Sequence, residues 1–192
     1  MLGTRVILLI FYSRAGAALI NPICQESATK DEHQTNMASP PSNTHFMRLA
    51  LAQGRLAIPD CLPNPPVGCV LVKNNVVIAQ GYTQAPGFHH AEAMALSRLT
   101  NDCSGVTAFV TLEPCSFHGR TPSCALALIN SGVDKAFVAL LDPDPKNSGV
   151  GIRMLREAGI TVVVGLLAEE AAEDLADFLV GKPGGSSDRN DQ

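Results

Sequence analysis

Apolar and polar positions follow two different rhythms along the chain, and the changes between them predict its elements. Over residues 45–58 the polar residues His45, Arg48 and Arg55 fall on one stripe and the rest is largely apolar. That spacing predicts a helix, with Thr44 as its N-cap. A Pro-rich loop follows at 59–66. Next come two apolar runs, 67–72 and 76–79, separated by Lys73-Asn74-Asn75. Two such runs joined by an Asn-Asn turn predict a β-hairpin. Residues 90–99 read as a helix and 106–112 as a buried strand. The next helix spans 122–131, with Pro122 in its first turn and Gly132 as its stop. A strand at 135–141, a helix at 149–158 closed by Gly159, and a strand at 160–164 complete the alternation. The last element is an amphipathic helix over 168–179, with Ala168, Ala171, Ala172, Leu175 and Leu179 on one face. Strands that alternate with helices after an opening hairpin predict an α/β protein, a largely parallel sheet covered by helices on both faces. No internal repeat is visible.

The ends of the chain differ from this middle. Arg5 precedes a short apolar run at 6–12, small residues follow at 15–18, and the first acidic residue is Glu26. One reading is an export or organelle-targeting segment, with an apolar run too short to span a bilayer. The competing reading starts the protein at Met37, which Ala-Ser-Pro-Pro-Ser-Asn-Thr follows, and leaves the upstream stretch non-structural. Both exclude residues 1–43 from the fold. The domain is expected over 44–181, and the Gly/Ser/Asp-rich tail at 182–192 is expected to be disordered.

Composition narrows the class. The 192 residues are 46% hydrophobic and 17% charged, enough apolar material for one core-forming domain. The formal net charge is −4, whereas a protein that neutralises nucleic-acid phosphates usually shows a basic excess. A nucleic-acid partner and a membrane are therefore not expected. Cys24, Cys61, Cys69, Cys103, Cys115 and Cys124 form an even set. The domain is large enough to fold without disulfide staples, and two of these cysteines sit in a metal-like context. Reduced thiols and a cytoplasmic location are expected, or export or an organelle if residues 1–36 act as a targeting segment.

The chemistry concentrates in two places. His90-Ala91-Glu92 follows the loop Gly87-Phe88-His89 and opens a helix. Pro114-Cys115 follows a strand, and Cys124 comes nine positions later at the start of the next helix. One imidazole and two thiolates suit Zn²⁺, and three protein ligands leave the fourth tetrahedral position for water, the pattern of a catalytic site. Zinc lowers the pKa of such a water to about 7. Both helix starts add a positive field that favours thiolates. Glu92, two residues after the histidine, is turned from direct ligation but stays close enough to move protons. Histidine, then glutamate two on, then Pro-Cys and a second cysteine is the arrangement of zinc deaminases. We therefore expect one Zn²⁺ per chain on His90, Cys115 and Cys124, with Glu92 catalytic. Two plainer readings compete. One is a metal-free core with two buried cysteines. The other is a structural zinc site whose fourth ligand would come from His89 or His118.

Three segments together resemble a known family: Asn64-Pro65-Pro66-Val67-Gly68-Cys69, His90-Ala91-Glu92, and the run from Thr111-Leu112-Glu113-Pro114-Cys115-Ser116-Phe117-His118 through Gly119-Arg120-Thr121-Pro122-Ser123-Cys124. They resemble the deaminase domain of the bifunctional riboflavin-biosynthesis deaminase/reductase, over roughly residues 45–179. The eight-residue gap between the two cysteines is the most specific feature, and the later Asp142-Pro143-Asp144-Pro145 also looks like a family segment. The resemblance implies a cytidine deaminase-like fold, a three-layer α/β/α arrangement around a mixed five-stranded sheet. It implies deamination of 2,5-diamino-6-ribosylamino-4(3H)-pyrimidinone 5′-phosphate. On the match, His90, Cys115 and Cys124 would hold zinc and Glu92 would shuttle protons. Asn64 would help bind the pyrimidine, and Arg120 would sit near the ribose phosphate. His118 either reaches the substrate or is an ordinary loop histidine.

The chain also departs from that family. Phe117 and Thr83 stand where it usually has histidines, Phe88 replaces a usual Glu, and Val150 a usual Arg. These positions belong to the substrate pocket or its rim. No Gly-rich dinucleotide-binding fingerprint is present, so the expectation is a stand-alone deaminase working with a separate reductase, or a paralogue moved to another pathway. Phe117 and Thr83 motivate an alternative, a deaminase of another small amino-heterocycle such as guanine, cytosine or a natural-product pyrimidine. A catalytically silent zinc-binding partner protein is a further alternative, against which an intact Glu92 argues. Self-association is left open.

Overall fold

The computed structural model describes residues 41–100, 103–117 and 122–179. The first helix, α1 (Asn43–Arg55), buries Phe46, Met47, Ala50, Leu51 and Gly54, a stripe at the three-to-four-residue spacing that one helix face requires. Its N-cap is Ser42, whose hydroxyl accepts the His45 N–H at 3.2 Å. The expected cap, Thr44, lies within the helix instead. Both residue types cap well, and the helix begins two residues earlier.

Two strands follow, β1 (Gly68–Lys73) and β2 (Val76–Tyr82). Asn74 and Asn75 join them at φ 52° and 61°, the left-handed values of a tight hairpin turn that asparagine tolerates. Beyond the hairpin come α2 (Ala91–Leu96), β3 (Val106–Leu112), α3 (Cys124–Ser131), β4 (Lys135–Leu140), α4 (Val150–Glu157), β5 (Thr161–Val164), α5 (Ala168–Asp174) and α6 (Ala176–Leu179). Gly132 ends α3 in the left-handed conformation, φ 80°, as the sequence predicts.

The strand order is β2-β1-β3-β4-β5. β1 runs antiparallel to both β2 and β3, while β3, β4 and β5 are parallel. This is the mixed five-stranded sheet expected. Alternate residues feed two cores. Cys69, Leu71, Ala108, Val110 and Ala136 meet Ala91 and Ala95 of α2, Ala125 and Leu128 of α3, and Leu155 of α4. Val70, Val72, Phe109, Phe137 and Ala139 meet Phe46, Met47, Ala50 and Leu51 of α1 and Ala171 of α5. In this second core Phe109 stacks on Phe137 with ring centres 4.9 Å apart. Helices therefore cover both faces. On the surface, Arg48 meets Glu170 at 3.0 Å and Arg55 meets Asp174 at 2.9 Å, tying α1 to α5.

The single helix expected over 168–179 is two, separated at Leu175. Ala171 packs in the core with α1, whereas Leu175 packs in the other core and Leu179 lies against it. One straight helix face does not serve both. Two glycines set how closely the site elements approach the sheet. A Cβ on Gly81 would run into the Ala91 carbonyl and come 2.6 Å from the Ala95 nitrogen, so α2 lies directly on β2. A Cβ on Gly151 would run into the Pro114 carbonyl, so α4 begins directly against the segment after β3.

Candidate active site

The chain leaves β2 and β3 at the same end of the sheet, and the 142–149 loop leaves β4 there too. The ends of parallel strands are where α/β proteins gather their sites. A cleft of about 990 Å³ opens at this end, with His90, Glu92 and Cys115 inside it.

Local structure brings the three expected metal ligands together. His90 occupies the N-cap position of α2. Cys115 lies three residues past β3, and Cys124 is the first residue of α3. The start of α3 is fastened to the Cys115 segment. Ser123 caps α3 by accepting the Leu126 N–H at 3.2 Å and donates its own hydroxyl to the Cys115 carbonyl at 2.8 Å. The Cys124 N–H donates to Cys115 Sγ at 3.3 Å. His90 Nδ1 lies 3.8 Å from Cys115 Sγ and 3.4 Å from Cys124 Sγ, and the three donor atoms all fall within 4.8 Å of one another. One borderline nitrogen and two sulfurs converging so closely are chemically fitted to a zinc ion. Among the described residues this is the cluster of metal-binding type. His89 is exposed outside it, and its N–H donates to Gln84 Oε1 at 3.3 Å.

Charge is tuned within the cluster. Hydrogen bonding from Cys124, then from His90, pulls the Cys115 thiol well below the ordinary thiol range. Its bond to Cys115 and its burial push Cys124 the other way. The bond to Cys115 also raises the His90 imidazole. Glu92, in the first turn of α2, is 3% exposed. Burial pushes its carboxyl up to about 7, with the neighbouring Cys115 charge acting in the same direction.

Of the expected substrate contacts, Asn64, Thr83 and Phe117 line the cleft, as does Phe88. Thr83 is buried, and its hydroxyl is engaged with the Val67 backbone, accepting the N–H at 3.2 Å. Phe117 is half exposed. Arg120 and His118 lie outside the described residues.

Two residues that hold the site together receive no role from the sequence, although Glu113 lies within the run that resembles the family. Glu113, directly after β3, is 4% exposed. Its carboxylate accepts the N–H groups of Asp142, Gly149 and Ile152 at 3.2, 2.9 and 3.2 Å. Asn147 is fully buried and bridges the 142–149 loop to Ser116. Their partners lie 29 to 39 residues away for Glu113 and 31 for Ser116, so short-range pattern cannot reveal them.

No described helix is long and apolar enough to cross a membrane. Residues 40–140 match the family model for the cytidine and deoxycytidylate deaminase zinc-binding region. The chain is 43% identical over 128 residues to the diaminohydroxyphosphoribosylamino-pyrimidine deaminase of Buchnera aphidicola, covering 67% of this chain and 87% of the relative. It is 48% identical over 125 residues to the riboflavin biosynthesis protein RibD of Actinobacillus pleuropneumoniae, covering 65% of this chain and 33% of that protein. The chain thus spans about a third of the length of this longer relative. Among solved structures it resembles the diaminohydroxyphosphoribosylaminopyrimidine deaminase/5-amino-6-(5-phosphoribosylamino)uracil reductase of Thermotoga maritima. That match has a TM-score of 0.67 at 38% identity and covers 71% of this chain and 40% of the other.

Proposed function

The chain belongs to the cytidine and deoxycytidylate deaminase family defined by its zinc-binding region, and from that premise we propose that it hydrolytically deaminates an aminopyrimidine. The substrate we assign is 2,5-diamino-6-ribosylamino-4(3H)-pyrimidinone 5′-phosphate, the type of compound for which the Buchnera relative is named. The single observation that carries this reading is a buried glutamate beside a convergent imidazole and two sulfurs, inside a cleft that admits a small molecule.

His90, Cys115 and Cys124 would hold one zinc ion per chain. When bound, zinc supplies the Lewis acidity that brings the ionisation of water close to neutral pH. The remaining work falls to the protein. Glu92 accepts a proton from the attacking water and passes it to the ring nitrogen. It then takes the remaining proton from the added hydroxyl and delivers it to the amine as the C–N bond breaks, so that water and the amino compound become the oxo compound and ammonia. Burial raises the Glu92 carboxyl above the usual carboxylate range, which favours a group that both takes up and releases protons. On the family resemblance Asn64 is assigned to the pyrimidine, Arg120 to the 5′-phosphate, and His118 to substrate binding. Phe117 and Thr83 shape the pocket wall.

We assign a reductase acting on the deaminated product as a pathway partner, the activity named beside the deaminase in the Thermotoga maritima protein. Cys61, Cys69, Cys115 and Cys124 are free thiols, in keeping with a reducing, cytoplasmic compartment. The test is ammonia release from the proposed substrate by zinc-loaded protein, with Glu92→Ala as control. Turnover that disappears in the variant is the expected result. A zinc-loaded, folded wild type that releases no ammonia would refute the substrate.

A second reading rests on one observation. Phe88 and Phe117, 65% and 50% exposed, both line the cleft and offer ring faces rather than hydrogen bonds. A different amino-heterocycle, bound more by stacking than by polar contacts, would suit them. Turnover of such a compound in place of the phosphate ester would select this reading.

A further inference from the structure

Asn147 uses both ends of its amide. Its Oδ1 accepts the Ser116 N–H at 2.8 Å, and its Nδ2 donates to Asp142 Oδ2 at 3.1 Å. Asp142 is oriented in turn, because its other oxygen accepts the Asp144 N–H at 2.9 Å. The Asp142 N–H is fixed to Glu113 at 3.2 Å. Asn147 therefore sits between two walls of the cleft. On one side is the segment carrying Cys115 and Phe117, which flank Ser116. On the other is the stretch from Asp142 to Lys146. It is 0% exposed, so water cannot replace either bond without opening the structure. An apolar residue of similar size would take the acceptor from the Ser116 N–H and the donor from Asp142 Oδ2. An aspartate would set a second carboxylate against Asp142.

We propose that Asn147 is a positioning residue, which sets the Cys115 sulfur and the Phe117 ring relative to the opposite wall. This rests on the deaminase reading above for its effect on turnover, but its effect on metal retention does not. Groups that hydrogen-bond a metal ligand typically change metal affinity or activity by roughly 10- to 100-fold when lost; Asn147 acts through Ser116, next to Cys115, so the low end of that range applies.

The experiment compares four full-length, zinc-loaded proteins: wild type, Asn147→Leu, the double exchange Asn147→Asp with Asp142→Asn, and Leu155→Val. The double exchange keeps an acceptor for the Ser116 N–H and reverses the bond between positions 142 and 147. Leu155, fully buried in the core at α4 and outside the cleft lining, supplies a matched loss of general stability. Zinc release to a chelator, Tm, kcat and KM are measured. Asn147→Leu is expected to release zinc roughly tenfold faster and to raise KM. Leu155→Val is expected to lower Tm without faster release, and the double exchange to recover most of the wild-type retention. If Asn147→Leu and Leu155→Val lose zinc equally slowly, or the exchange recovers nothing, the proposal is overturned. A wild type that holds zinc but deaminates nothing defeats the functional reading alone, since the release rates still decide the role of Asn147. A wild type that holds no zinc defeats both.

Discussion

Glu92, which lines the cleft, and Cys124, which joins the ligand cluster beside it, form a buried floor at 3% and 2% exposure, whereas Phe88 and Phe117 form an exposed mouth at 65% and 50%. Floor residues sit at helix starts seated on the sheet, where Gly81 leaves no space for α2 to shift. Mouth residues hang on loops that leave β2 and β3. On the function proposed above, the difference separates the chemistry from the choice of substrate. Position at the floor is enforced by packing, so reaction type is hard to change without unfolding the site. The mouth is constrained by few contacts, so its side chains can be replaced while the floor persists.

The largest test of this contrast removes the floor. Cys124→Ser is expected to abolish zinc binding and turnover together, read by metal analysis and ammonia release. Retained stoichiometric zinc would show that the three residues do not act as one site. Glu92→Gln comes next. It should keep zinc and lower kcat by about 10²- to 10⁴-fold, the typical contribution of a positioned acid–base group. A variant that loses zinc as well would assign Glu92 to the metal instead. Removing a ring at the mouth should do less. Phe117→Ala is expected to raise KM by about fivefold, the lower end of a stacking contact at about 1 kcal/mol, with kcat little changed. A kcat collapse would place Phe117 on the floor. Thr83→Val should leave KM alone and cost about 0.5–1.5 kcal/mol of stability, because the Val67 N–H loses its hydroxyl acceptor but keeps the Pro65 carbonyl. A denaturant midpoint equal to that of wild type would show that the bond contributes nothing. Smallest of all, Cys61 and Cys69 should escape alkylation at about pH 8 in the folded protein. Burial leads in raising both thiols, and neither is exposed. Rapid labelling of Cys69 would mean that β1 opens.

The same contrast explains what could be read without the structure. The floor was legible because each of its residues lies beside a local signal. Glu92 follows His90 by two, and Cys115 and Cys124 stand at the ends of a strand and a loop whose breaks the sequence marks. Most elements were legible for the same reason, although β2 runs on to Tyr82. Its last residues lack an apolar run, but pairing with β1 supplies the ladder regardless of side chain. The break at Leu175 was hidden because its periodicity is that of one good helix, and only packing against two cores bends it. Glu113 and Asn147 were hidden for a stronger reason. Each accepts backbone N–H groups 29 or more residues away, Asn147 together with its bond to the Asp142 side chain five residues away, and backbone donors leave no trace in the identity of the partner.

Glu113 also bears on how the protein behaves as ionic strength rises. Its charge is met by three peptide N–H dipoles rather than by a lysine or arginine. Mobile ions screen exposed charge pairs, such as Arg48 with Glu170, whose side chains are 59% and 39% exposed. They have little access to a carboxylate that is 4% exposed. Added salt is therefore expected to loosen the α1–α5 surface while the join between the 142–149 loop and β3 holds, so that catalysis should tolerate brine better than the surface ion pairs do.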